Sequence, residues 1–328
     1  MKEDMSKEDN ILEINNLSKE FALEAGFFSR NKNTVYAVND VSFSVQRGST
    51  YGLLGESGCG KTTTARLCIG LYGKTSGSVL FYPEKDSEPL DVHSLKGKAK
   101  RAYREQVKYI FQDPAKSLNP RLTVLDVLTS ALKFSSKWQG KKEAFELASK
   151  IISEVGLTQD DLFRRPAEFS GGQRQRISIA RVLVMSPKLL ICDEVVSALD
   201  VSIQGQVINL LTSLKKERNL SYIFITHDLR VASYFCDRIG VMYRGVLVEE
   251  GDAKTLYKDS LHPYTKLLFE GTRISSNESN LEVKTVLQKE NACPFFHRCK
   301  ERKEICGQSL PDFYQAGDNH RVRCFLCK

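Results

Sequence analysis

The stretch AVNDVSFSVQRGSTYGLLGESGCGKTTTARLCIGL, residues 37–71, restricts the fold more than any other part of the chain. Apolar residues alternate through VSFSV, the pattern of a half-buried strand. A turn at Arg47, Gly48 and Ser49 leads into an unbroken apolar run. Glycines follow at 55, 58 and 60, and a helix is expected to open near Lys61. A strand that feeds a glycine loop and then a helix begins a parallel α/β sheet.

The loop itself, GESGCGKT from Gly55 to Thr62, has the spacing G-x4-G-K-[ST]. Glycines let the backbone curl until its N–H groups face a phosphate chain. Lys61 adds a cation for the β and γ phosphates, the Thr62 hydroxyl can ligate Mg²⁺, and the following helix aims its positive end at the anion. Gly55, Glu56, Ser57, Gly58, Cys59, Gly60, Lys61, Thr62 and Thr63 are therefore the expected ATP-phosphate residues, with Cys59 a small filler that has no redox task. A second apolar run, LLICDE (189–194), ends in two carboxylates. Asp193 is placed to hold the Mg²⁺ shell, and Glu194 to orient and deprotonate an attacking water.

Elsewhere the pattern is coarser. Residues 113–186 read as mostly helical, with KKEAFELASKIISEVGL at helical spacing and a glycine near its end. Strands return at 188–194, 221–228 and 238–251, the last a hairpin turning at Arg244 and Gly245. Residues 272–292, polar and rich in Ser, Asn and Glu at their start, read as a linker or a loosely packed crossing to the Cys tail. The net charge of +8 is spread along the chain, so a solvated basic face is preferred and no nucleic acid is expected. No run approaches 18 apolar residues and the N-terminus lacks an apolar signal region, which predicts a cytosolic chain.

The segment FSGGQRQR (169–176) resembles the signature of the ATP-binding cassette (ABC) superfamily. The resemblance implies that Ser170, Gly171, Gly172 and Gln173 open a helix aimed at the ATP of a second subunit. It assigns Gln112 in YIFQDP to the Q-loop, near Mg²⁺ and the transport partner, and Asp200 in SALD to the D-loop. His227 in ITHD becomes the switch histidine at the γ-phosphate. An early aromatic stacks on adenine in such proteins. Phe21 is the candidate, with Phe27, Phe28 and Tyr36 left open by the insert ALEAGFFSRNKNT. The implied fold is a P-loop NTPase of ABC type, α/β, with a mixed parallel sheet, added antiparallel strands and a helical subdomain. It spans residues 11–262, with the helical part at about 113–186, followed by a small Cys-rich C-terminal extension at 263–328.

The gap from Lys61 to Ser170 is short, no long heptad run is visible, and the chain carries one cassette. QDPAKSLNPRLTV, DRIGVMYRGVLVEEG, HPYTKLL and the Cys tail are similar to ATPase subunits of bacterial dipeptide/oligopeptide importers, a family that includes nickel importers. That likeness implies an ATPase at the cytoplasmic face of the membrane. Its partners would be two transmembrane permeases, a second ATPase subunit, identical or paralogous, and an extracytoplasmic peptide-binding protein. Where the family usually has Pro after the catalytic Glu, this chain has Val195. A soluble ABC-type ATPase acting on nucleic acid, or a regulatory module, is the rival reading.

Five of the nine cysteines lie in the last 36 residues. Cys293, Cys299, Cys306 and Cys324 are spaced C-x5-C-x6-C-x17-C, with Cys327 trailing. Disulfides fit a reducing compartment poorly. Zinc prefers shorter Cys pairs, and unligated buried thiols sit oddly among Arg, Lys and Glu. The count suits a [4Fe–4S] cluster, which the importer resemblance supports, with Zn²⁺ as the alternative. His297 and His320 are expected at the surface or just outside the ligands.

Overall fold

The computed structural model describes residues 9–22, 34–113, 117–273 and 292–328. The proposed linker lies almost wholly outside the described residues, as do Phe27 and Phe28 and most of the insert that carries them.

Two sheets face one another. An antiparallel sheet contains β1 (Asn10–Ala22), β2 (Thr34–Gln46), β4 (Ser76–Phe81) and β5 (Leu90–Asp91) in the order β2-β1-β4-β5. The larger sheet is built from β3 (Thr50–Leu54), β6 (Val107–Ile110), β7 (Leu189–Asp193), β8 (Ser221–Thr226), β9 (Arg238–Tyr243), β10 (Val246–Asp252), β11 (Tyr314–Gly317) and β12 (His320–Val322). Its order is β11-β12-β10-β9-β3-β8-β7-β6. Strands β9, β3, β8, β7 and β6 are parallel. Strand β10 turns back antiparallel through Arg244 and Gly245, both at positive φ, as expected of that hairpin.

Strands covered on both faces lose the polar alternation of a half-buried strand. Every residue of β3, β7 and β8 is buried. Their side chains still alternate between two cores. Leu53, Leu189, Ile191, Ile223 and Ile225 join Ile11, Leu12, Ile14 and Phe43 in the core between the sheets. Leu54, Leu190, Cys192, Tyr222 and Phe224 face the helices on the other side.

Helix α1 (Lys61–Cys68) follows the glycine loop, and α2 (Gly97–Gln106) precedes β6. The helical segment contains α3 (Val124–Leu132), α4 (Lys141–Glu154) and α5 (Gly171–Leu183), with two 3-10 turns between α4 and α5. Beyond β7 come α6 (Val201–Arg218), α7 (Leu229–Phe235), α8 (Ala253–Lys258) and α9 (Pro263–Arg273). Among the described residues no helix is long and apolar enough to cross a membrane.

The C-terminal strands were not legible in the sequence. Strand β12 pairs with β10 and extends the large sheet, and β11 pairs with β12 at its edge. Arg321 and Arg323 bind Ser42 O and Asp40 of β2 at 2.7 Å each, which ties this hairpin to the smaller sheet as well.

Candidate nucleotide site

Parallel registry brings the chemistry to one edge. Leu54 pairs with Thr226 and Asp193 with Ile225, so β3, β7 and β8 end together. The loops leaving those ends carry Gly55–Lys61, Glu194 and His227, and Gln112 follows β6 by two residues. Crevices at the carboxyl ends of parallel strands are where α/β sheets bind ligands.

The glycine loop needs its glycines. Gly55 and Gly60 have φ of 147° and 110°. A Cβ on Gly55 would run into Met242 O, and one on Gly60 into Ala37 O. Lys61 is 5% exposed, and its Nζ donates to Gly55 O at 2.7 Å and Glu56 O at 2.9 Å. Cys59 is buried with its Sγ 3.8 Å from that amine, and burial raises its thiol pKa. This is the environment of a space-filling side chain. Thr63 is half-buried in the first turn of α1.

Thr62 Oγ1 donates to Asp193 Oδ1 at 3.1 Å. Tyr109, which the sequence reading missed, donates its hydroxyl to the other carboxylate oxygen. Burial first, then the Asp193 charge, pushes the Tyr109 pKa far up, so it stays a donor. The Thr62 hydroxyl and Asp193 carboxylate present convergent oxygens, a donor set that fits Mg²⁺. Tyr109 could have been noticed as the residue one strand period before Phe111, next to Gln112.

Glu194 sits at φ 49° and its N–H donates to Ile225 O at 3.0 Å. Its carboxylate lies between two of the candidates: Gln112 Nε2 donates to Oε2 at 2.7 Å, and His227 Nδ1 is 3.4 Å from Oε1. Gln112 and His227 are exposed and Glu194 is half-buried, so the group opens to solvent. Val195, next after Glu194, is 2% exposed in the core.

Ser170 to Gln173 form a separate patch. Ser170 caps α5 by accepting from Gln173 N–H at 3.3 Å, while Gln173 Oε1 accepts from Ser170 N–H at 3.0 Å, a capping box. A Cβ on Gly172 would lie 2.6 Å from Ile203 of α6, so α5 and α6 pack closely here. Gly171 is half-buried beside it, and Asp200 stands exposed as the N-cap of α6. None of the described hydrogen bonds joins this patch to the glycine loop.

Phe21 lies at the end of β1, 38% exposed, with its ring edge-on to Tyr72 at 5.7 Å. Tyr36 is on the paired strand, and the adjoining Ala37 touches Gly60.

The C-terminal residues reach this site. Tyr264 of the HPYT segment accepts the Glu56 N–H at 2.9 Å. Arg298 grips the Glu56 carboxylate with both terminal nitrogens, at 2.8 and 3.0 Å. Cys293, Cys299, Cys306 and Cys324 line one small cavity of about 20 Å³ beside His262 and Phe295. Burial raises the Cys293 pKa to about 11 and that of Cys324 to about 12. Among the described residues, no three His, Cys, Asp or Glu side chains are arranged to hold a metal ion. His320, expected at the surface or just outside the thiols, is not at the surface. Pairing of β12 with β10 buries it, with Nε2 2.7 Å from Glu249.

A family profile described as ABC transporter matches residues 38–197, and one described as oligopeptide/dipeptide transporter, C-terminal region, matches residues 248–306. The chain is 43% identical over 317 residues to the oligopeptide transport ATP-binding protein OppF of Bacillus subtilis, covering 96% of each. It is 39% identical over 331 residues to AppF of the same organism, covering 98% of each. With the dipeptide transport ATP-binding protein DppF of Lactococcus lactis it shares 44% identity over 80% of this chain and 81% of that one. Among solved structures, cbiO1 of Clostridium perfringens, part of the ABC transporter complex cbiONQ, superposes with a TM-score of 0.64 at 27% identity. That match covers 77% of this chain and 92% of cbiO1. A dimeric ATP-binding cassette, MJ0796, bound to ADP and Pi gives 0.62 at 26% identity, over 74% and 99%. The chain belongs to the ABC transporter family, among the ATP-binding proteins of oligopeptide and dipeptide transporters.

Proposed function

We propose that the chain hydrolyses ATP to energise import of dipeptides or oligopeptides, working at the cytoplasmic face of the membrane. The observation that carries this is the Glu194 carboxylate, held between Gln112 and His227 where three parallel strands end. A carboxylate so placed can orient a water and take its proton as the water attacks the γ-phosphate. Lys61 and the N–H groups from Gly55 to Thr63 cradle the phosphates. Thr62, Asp193 and Gln112 hold Mg²⁺, which neutralises phosphate charge. His227 steadies the γ-phosphate end, and Phe21 stacks on adenine.

Ser170, Gly171, Gly172, Gln173 and Asp200 meet the ATP of a second ATPase subunit, whether a copy or a paralogue. Two permease subunits convert closure of that dimer into a change of access across the membrane, and an extracytoplasmic binding protein delivers the peptide. The similarity to oligopeptide transport ATP-binding proteins over nearly the full length, and to a dipeptide one over 80% of the chain, supports this assembly.

The four tail thiols carry a [4Fe–4S] cluster in this reading, with Zn²⁺ the alternative. Their number and their thiol chemistry support it. When bound, the group supplies a structural staple. A bound cation would also draw off the protons that burial holds on Cys293 and Cys324.

Replacing Glu194 by Gln tests the catalytic assignment. MgATP binding should persist while steady-state ATP turnover falls by about 10²-fold or more. Turnover within about threefold of wild type would refute Glu194 as the base.

A further inference from the structure

Glu56 poses a problem of charge. It lies inside a loop whose N–H groups and Lys61 serve a polyanion, and it adds a negative charge to that loop. Like charges brought close repel, most strongly where water is partly excluded. The structure answers from 242 residues away. Arg298 meets the Glu56 carboxylate as a fork, Nη1 to Oε2 at 2.8 Å and Nη2 to Oε1 at 3.0 Å. A bidentate pair fixes direction as well as charge.

The guanidinium is itself held. It lies 5.7 Å from the ring centres of both Tyr243 and Phe295, and Nη1 is 3.4 Å from the Tyr243 hydroxyl. Phe295 is buried in the main core against Tyr243 and Tyr264. The same loop residue is gripped by its backbone, because Glu56 N–H donates to the Tyr264 hydroxyl. Tyr264 is set by a turn in which Glu249 accepts from Leu261 and His262 N–H, and His262 Nδ1 accepts from Tyr264 N–H. Two contacts from two C-terminal segments thus converge on one residue of the loop.

We infer that Arg298 is a positioning residue for the phosphate loop: it turns the Glu56 carboxylate aside and cancels its charge, so the C-terminal extension sets the affinity for nucleotide. The inference rests on the reading of Gly55–Thr62 as the ATP-phosphate site. It assigns Arg298 no contact with ATP.

The test is a titration of the full chain with MgATP, comparing wild type, Arg298→Ala, Arg298→Lys, Glu56→Gln and the double variant Arg298→Ala/Glu56→Gln. Arg298→Ala should raise Kd about fivefold, the upper range for a half-exposed ion pair. Arg298→Lys, a cation without the fork, should fall between it and wild type. The double variant should return to within about twofold of wild type, because no unpaired anion remains. In Arg298→Ala and Arg298→Lys, turnover at saturating ATP should change by less than about twofold. Thermal unfolding without nucleotide reports any loss of tail packing, which both Arg298→Ala variants share. Unchanged affinity in Arg298→Ala overturns the inference. So does a double variant as weak as the single one, since that points to packing alone. Failure of the wild-type chain to bind MgATP would instead overturn the phosphate-loop reading beneath it.

Discussion

Glu249 is fully buried and accepts three polar contacts: Leu261 N–H at 2.7 Å, His262 N–H at 3.0 Å, and His320 Nε2 at 2.7 Å. Replacing it by Ala strands two backbone donors and the histidine. A buried donor without a partner costs about 1–3 kcal/mol, so the two N–H groups alone cost about 2–6 kcal/mol. Removing the carboxylate also removes the expense of burying it, which favours the middle of that range. The expected loss is about 4 kcal/mol, equivalent to a melting temperature lower by roughly 6 °C in a chain of this size. Glu249→Gln keeps one accepting oxygen and should recover about half. The assay is urea and thermal unfolding of the full chain, followed by circular dichroism. A loss below about 1 kcal/mol in Glu249→Ala would refute the claim that this carboxylate organises the HPYT turn.

The buried His262 is held neutral, its pKa lowered to about 4 by burial, with the Glu249 charge opposing. Unfolded, it takes a proton near about pH 6.5. Between those values the unfolded chain binds more protons than the folded one. Stability should therefore fall as pH drops from about 6.5 to about 4, and His262→Asn should flatten that part of a profile of urea midpoint against pH. For the tail, anaerobic purification should give a brown chain with about four irons, whereas a colourless chain with one zinc would refute the cluster.

The glycine loop was legible because its spacing is a local demand. Gly55 and Gly60 are required by backbone geometry within a few residues of sequence, and Lys61 and Thr62 follow at once. Glu194 and His227 were legible because each leaves the end of an apolar strand, and parallel registry carries such exits to one edge. Tyr109, Tyr264 and Arg298 were not. Their partners lie 84, 208 and 242 residues away, and nothing local marks the pairing. HPYT stood out only as a family mark, with no hint that its tyrosine touches the loop. The burial of His320 was not legible because the surrounding sequence is polar, and it arises only when the short β12 pairs with β10. Strands as short as β11 and β12 leave too few alternations to be read from pattern.

The join between Glu56 and Arg298 also sets an order in time. The glycine loop is made early, and Arg298 follows Glu56 by 242 residues. At about 5–20 residues per second that interval is roughly 10–50 s. Through it the nascent cassette holds Lys61 and its glycines without the arginine that turns Glu56 aside. If the clamp tightens nucleotide binding as inferred, the growing chain binds ATP about fivefold more weakly until the segment that carries Arg298 docks on Glu56.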